Sequence, residues 1–122
     1  MADVNYTITG QVSKGALSQS FAASGITADI ATAGVLSVTL NLNTNVTTIS
    51  TASIGAVGLA FARSLATTTT HEVSFGRYSG GNLYETVRLK AGEAAVLRLA
   101  PGDYAAKAAV AGTRLVLTVY ED

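Results

Sequence analysis

The stretch GVLSVTLNLN, residues 34–43, sets Leu36, Val38, Leu40 and Leu42 on one side of the chain and Ser37, Thr39 and Asn41 on the other. A period of two puts alternate side chains on opposite faces of a strand. The segment therefore reads as a strand with one apolar and one neutral polar face. The same rhythm runs outward in both directions. Towards the N-terminus, Val4, Tyr6 and Ile8 alternate with Asn5, Thr7 and Thr9. Downstream, Val57, Leu59 and Phe61 alternate with Gly58, Ala60 and Ala62, and Val73 and Phe75 oppose Glu72 and Ser74. Leu83, Val87 and Leu89 oppose Tyr84, Thr86, Arg88 and Lys90, with Glu85 the exception on the apolar side. Ala95, Leu97 and Leu99 alternate with Val96 and Arg98, and Leu115, Leu117 and Val119 with Arg114, Val116, Thr118 and Tyr120.

The breaks between these runs carry turn chemistry. Ser79, Gly80, Gly81 and Asn82 suit a tight hairpin that needs positive φ angles. Gly92, Pro101 with Gly102, and Gly112 mark three further turns. Short strands spaced by turns at roughly 8–12 residues indicate an all-β antiparallel sandwich or barrel of about eight strands. Its expected core is Leu36, Val38, Leu40, Phe61, Val73, Phe75, Val87, Leu89, Leu97, Leu99, Leu115, Leu117 and Val119. Residues 13–33, rich in Ala, Ser and Gly, alternate weakly and read as an arm or long loop with one short strand over 26–30. A length of 122 residues fits one domain, residues 1–122, with residues 1–33 in part an extended arm.

Composition removes whole classes of function. Lys plus Arg and Asp plus Glu stand at 8 each, so the chain has no net charge to attract nucleic acid or an anionic membrane. With no Cys and one His there is no thiolate nucleophile, disulfide framework or Cys/His zinc site. No cofactor is expected. The start MADVNYTITG lacks a basic stretch followed by an apolar run, so no secretory signal is expected. The longest apolar run, IGAVGLAFA over residues 54–62, falls short of the ~20 residues of a spanning helix.

Motifs for chemistry are equally sparse. Neither a GxSxG elbow nor a P-loop is present. A Ser–His–Asp arrangement would have to use His71, which reads instead as an ordinary half-exposed strand residue. Asp3, Val4 and Asn5 lack the later Glu of a calcium loop and read as a solvated terminus. Tyr78 and Tyr84, flanking the Ser79 to Asn82 turn, are the candidates for a sugar-stacking platform, with rim or core tyrosines the plainer reading. No enzymatic activity is expected.

Charge is unevenly distributed. Residues 30–62 contain no charged side chain, although they are full of Ser, Thr, Asn and Gly, while 13 of the charges lie from Arg63 onward. One reading is a Thr-rich sheet surface from compositional bias. The other is a surface that meets protein, since charges are depleted where interfaces are fully buried. On that second reading Thr39, Asn41, Thr48 and Ser50 are the candidate interface residues.

Three segments carry a resemblance: GLAFARSLATTTTHEVSFGR (58–77), YETVRLKAGEAAVLRLAPGDYAAKA (84–108) and LVLTVYED (115–122). An apolar strand runs into Phe61-Ala62-Arg63-Ser64, with Ser64 where the pattern usually has Asn. Val73 to Gly76 follows, then Leu89-Lys90-Ala91-Gly92-Glu93, Arg98-Leu99, and the close Tyr120-Glu121-Asp122. This layout resembles small virion proteins of tailed bacteriophages, in particular head decoration (cement) proteins. The resemblance implies a β-sandwich or jelly-roll-like core and a structural role on the capsid exterior after synthesis in the host cytoplasm. It also implies the major capsid protein as partner and a homo-oligomer, with a trimer the natural state at a three-fold position. A tail or baseplate subunit and a carbohydrate-binding module are the alternatives.

Overall fold

The computed structural model describes residues 4–28, 30, 34–52 and 54–121. Asp3, Asp29, Ala33 and Asp122, which entered the readings above, lie outside the described residues. Two compact units divide the chain, residues 1–31 and 32–122. Among the described residues there are ten strands, all paired antiparallel, and no helix.

The first unit is one long hairpin, β1 (Val4–Lys14) against β2 (Leu17–Ala28). The segment read as an arm with a short strand over 26–30 is thus a continuous strand of 12 residues. A bulge hides its rhythm: Ser24 and Gly25 together oppose Thr7, between the pairs Tyr6–Ile26 and Ile8–Ala23. Gly25 has φ of 65°, the left-handed conformation such bulges assign to glycine. The extra residue shifts the parity of β2, so odd positions before it and even positions after it share one face.

The second unit is a sandwich of two four-stranded sheets. One has the order β3 (Val35–Leu42), β10 (Thr113–Glu121), β5 (Val57–Ser64), β8 (Ala94–Arg98). The other runs β4 (Thr47–Ile49), β9 (Tyr104–Ala108), β6 (Val73–Ser79), β7 (Asn82–Leu89). The pairs nest: β3 with β10, β4 with β9, β5 with β8, β6 with β7. A single long ribbon folded over on itself gives this order, which is that of a jelly roll. Its tip is the β6–β7 hairpin, where Gly80 and Gly81 have φ of 59° and 83°, as a two-residue turn with both φ positive requires.

The inner faces meet in one core. Leu42, Leu115, Leu117 and Val119 from one sheet pack with Val73, Phe75, Leu89, Tyr104, Ala106 and Ala108 from the other. The rings of Phe75 and Tyr104 stack 5.6 Å apart, and the Tyr104 hydroxyl donates to the Ala100 carbonyl at 2.5 Å. Leu36, Val38, Leu40, Val87 and Leu97 line the periphery as partly buried neighbours. Burying a large aliphatic or aromatic side chain stabilises by roughly 1.5–3 kcal/mol, so this shared core is what holds the sheets together.

Phe61 departs from its expected place in the core. Ala60, Ala62 and Ser64 pair with Val119, Leu117 and Leu115 and share their inward face. Phe61 pairs with Thr118 and turns outward, edge-on to Tyr120 at 5.9 Å. The bulky inward residues of β10 decide this: small side chains beside them on β5 leave room for the opposite sheet. Glu85 and Leu83 also exchange faces relative to the simple alternation. Thr86 is an extra residue between the pairs Phe75–Val87 and Gly76–Glu85, so Glu85 faces outward, and Leu83 opposite Tyr78 does too.

Candidate functional site: the outer surfaces

Strands β3 and β4, joined by residues 43–46, are the edge strands at one side of the sandwich, and β7 and β8 are the edges at the other. The two sides differ in chemistry. Lys and other charges on an edge strand discourage pairing with a second chain. Glu85, Arg88 and Arg98 do this at β7 and β8, whereas β3 presents eight residues with no charge and no Pro.

Of the candidate interface residues, Thr39 and Asn41 are exposed on the outer face of β3. Ser37 stands beside them, its hydroxyl 3.3 Å from that of Thr118 on β10. Thr48 is exposed on β4 and Ser50 just beyond it, on the other sheet. The fold thus brings Thr39 and Asn41 together, and separately Thr48 and Ser50, as two patches on neighbouring edges rather than one face.

Next to the β3 patch the outer face turns basic. Arg114 on β10 pairs with Asn41, and Arg63 on β5 pairs with Val116 of β10. With Arg98 on β8, every charged strand residue that alternation turns outward between Val35 and Tyr120 on this sheet is an arginine. The neutral residues and the arginines form one continuous surface.

The outer face of the second sheet carries both signs. A hollow of about 350 Å³ is lined by Thr44, Glu72, Ser74, Glu85, Arg88 and Lys107 among others. Arg88 Nε lies 2.8 Å from Glu85 and 3.7 Å from Glu72. The hydrogen bond from Arg88 holds the Glu85 carboxyl below the usual carboxylate range against the opposing effect of burial, helped by Ser74 and by the charges of Arg88 and Lys107. Two acids and two bases here neutralise one another. A second, more apolar cleft of about 170 Å³ opens beside Phe75, Val87, Leu97, Leu99 and Tyr104, with Arg77 held 5.8 Å over the Tyr104 ring.

The other candidate groups are dispersed. His71 lies in the turn before β6, not in a strand, its amide donating to the Thr68 carbonyl at 2.9 Å. Tyr78 pairs with Leu83 while Tyr84 pairs with Arg77, so the two tyrosines point to opposite faces and share no platform. Among the described residues no three His, Asp or Glu side chains gather as metal ligands.

The feature that sequence reading missed is the β1–β2 ribbon. Val4, Tyr6, Ile8 and Val12 share one face with Leu17, Phe21, Ala23, Ile26 and Ala28, and Gly10, Lys14 and Gln19 stand on that same face. Asn5, Thr9, Gln11 and Ser13 share the other with Thr27, Ala22, Ser20 and Ser18. Phe21 is 61% exposed, and Val12 and Leu17 are each 50% exposed. The signal was present in the sequence, in the change of parity at Gly25.

No protein-family model matches the chain, and no curated protein or solved structure matches it either. The surfaces themselves are what bears on function.

Proposed function

We propose that the protein is a non-enzymatic virion structural protein, a homotrimeric decoration protein that binds the major capsid protein on the outside of an assembled phage head and stabilises it. The observation that carries this reading is the long uncharged edge of β3, continuous with a neutral polar face that includes Thr39 and Asn41. An unprotected edge of this kind favours contact with another chain over solvent. Neutral Ser, Thr and Asn side chains allow close approach without desolvating ions, which costs several kcal/mol per unpaired charge. The resemblance of the C-terminal half to phage virion proteins supplies the kind of partner. Weak contacts repeated by symmetry would then add up, because each protomer that docks raises the effective concentration of the next.

Reconstruction of the native particle tests the proposal. Density for the sandwich on the capsid exterior, with β3 towards the shell, is the expected result. Density in the tail or baseplate would move the protein there. Absence from purified particles would end the structural virion reading.

A further inference from the structure

The apolar cleft of about 170 Å³ lies between the two sheets, on the side where β7 ends one and β8 ends the other. These two edge strands are not hydrogen-bonded to each other, so the gap between them opens onto core side chains. Val87 of β7 and Leu97 of β8 pack against the core and are only partly buried. Phe75, Leu99 and Tyr104, all buried, also line the cleft. The Tyr104 hydroxyl is already spent on the Ala100 carbonyl, which leaves its ring as apolar wall.

One cation at this cleft is positioned by its neighbours. Arg77 lines the cleft, its guanidinium carbon 5.8 Å from the centre of the Tyr104 ring. The same guanidinium lies against Gly102, where a Cβ would stand 2.5 Å from that carbon. Gly102 has φ of 147°, a conformation that favours glycine, so the space is kept by the sequence itself. Among the described residues no ion pair engages Arg77. A guanidinium is thus set in place beside an apolar cleft without a counter-ion.

We propose that the cleft binds a free apolar monocarboxylate, its acyl chain between Val87 and Leu97 and its carboxylate on Arg77. Charge complementarity and the apolar lining select this occupant together. Hydrocarbon gains free energy in proportion to the area it removes from water, and an apolar cavity takes such a guest without giving up well-held water. The planar guanidinium offers paired N–H donors that match a carboxylate, and stacking on an aromatic ring pre-organises it. Arg98 also lines the cleft, so a second positive charge favours the same sign of ligand. This site goes beyond the decoration reading and does not depend on it.

Octanoate and octan-1-ol, which share a chain and differ in the head group, test the proposal on the whole chain. Followed by amide NMR shifts, octanoate should saturate with one molecule per chain and a Kd of about 1 mM or tighter, as suits a ligand of this size. The largest shifts should fall at Val87 and Leu97. Octan-1-ol should bind about tenfold or more weakly, the difference expected from a hydrogen bond to a charged group. Arg77→Gln should abolish that difference and leave octan-1-ol binding unchanged, a readout that a loss of fold would not give. Leu97→Phe, which fills the cleft, should lose both ligands.

No saturation by octanoate at ~10 mM overturns the proposal. Equal binding of the two probes to wild type does the same, as does a preference that survives Arg77→Gln. N-acetylleucine carries an apolar group and a carboxylate on a peptide unit. If it binds about tenfold tighter than octanoate, the cleft belongs to the end of a protein chain and the free acid is overturned. The assay uses the isolated chain, so its failure leaves the decoration reading standing, and absence from particles leaves the cleft proposal standing.

Discussion

Arg88 Nε donates to Glu85 Oε1 at 2.8 Å, although the two residues stand three apart in one strand. Residues i and i+3 of a regular strand point to opposite faces. The extra residue Thr86 in β7 removes one step of the alternation and turns both side chains outward. The bulge thus converts what looks in the sequence like a carboxylate in the core into half of a surface ion pair.

The pair makes stability depend on pH in a defined direction. Arg88, first of all, holds the folded Glu85 pKa below its ordinary value. A depressed folded pKa adds stability that is fully present above the unfolded value, about 4.3. That stability is lost as pH falls through the lower folded value. Glu85→Gln should therefore melt slightly below wild type at pH 7, and the gap should close as pH drops below the unfolded value. Added salt should narrow the gap at pH 7, since the pair is exposed. Melting temperatures of both proteins across pH and salt check this, and a gap that widens in acid would contradict it.

Gly76 makes the same bulge possible. A Cβ there would collide with the carbonyl oxygen of Tyr84 and lie 2.9 Å from the amide nitrogen of Thr86, both backbone atoms. Backbone paired on β7 cannot step aside as a flexible side chain could. Gly76→Ala should destabilise by about 1–3 kcal/mol, the usual cost of forcing atoms into filled space. Urea denaturation measures it. A neutral result would mean that the β6–β7 bulge relaxes freely.

How far the sequence discloses the molecule follows from parity. The faces of β3 and β10 are legible because neither strand carries an internal bulge where they pair, so Leu36 to Leu42 and Leu115 to Val119 keep their alternation. β2 is opaque because the bulge at Gly25 inverts the parity near its C-terminal end, and β7 is misread at Glu85 because the extra residue Thr86 does the same there. β9, with the sequence YAAKA, has no contrast to read: Ala105 and Ala106 point to opposite faces and both are 0% exposed. The candidate surfaces divide similarly. An uncharged stretch over residues 30–62 can be counted in the sequence. The hollow of Glu72, Glu85, Arg88 and Lys107 depends on β6 pairing with β9 and on a bulge, neither of which leaves a local pattern.

Core energetics should follow the observed facing of β5, not the size of its residues. Leu117 is 1% exposed between the sheets, and Phe61 is half-buried on the outside. Leu117→Ala should cost about 2–5 kcal/mol, combining lost transfer energy with the cavity left behind. Phe61→Ala should cost less, although more atoms are removed. Denaturation midpoints of the two variants decide the order. The reverse order would place Phe61 in the core and turn β5 over.

Docking through the β3 face makes a prediction that separates binding from folding. Thr39 pairs with Val116, so Arg114, two residues away on β10, is its diagonal neighbour on the outer face. Diagonal positions lie roughly 7–8 Å apart, within reach of long side chains. A carboxylate introduced by Thr39→Glu can therefore reach Arg114, and the fold should keep its melting temperature within a few degrees. The same carboxylate would have to be desolvated in a protein interface over β3, at a cost of several kcal/mol if it is left without a buried partner. Thr39→Glu should accordingly weaken particle binding by at least tenfold, equivalent to about 1.4 kcal/mol. Ser79→Glu, at the exposed β6–β7 turn, should bind as wild type does. Binding of both variants to particles stripped of the native protein supplies the comparison. Unchanged binding by a folded Thr39→Glu protein would move the docking surface off β3, and loss in both variants would point to the opposite end of the sandwich.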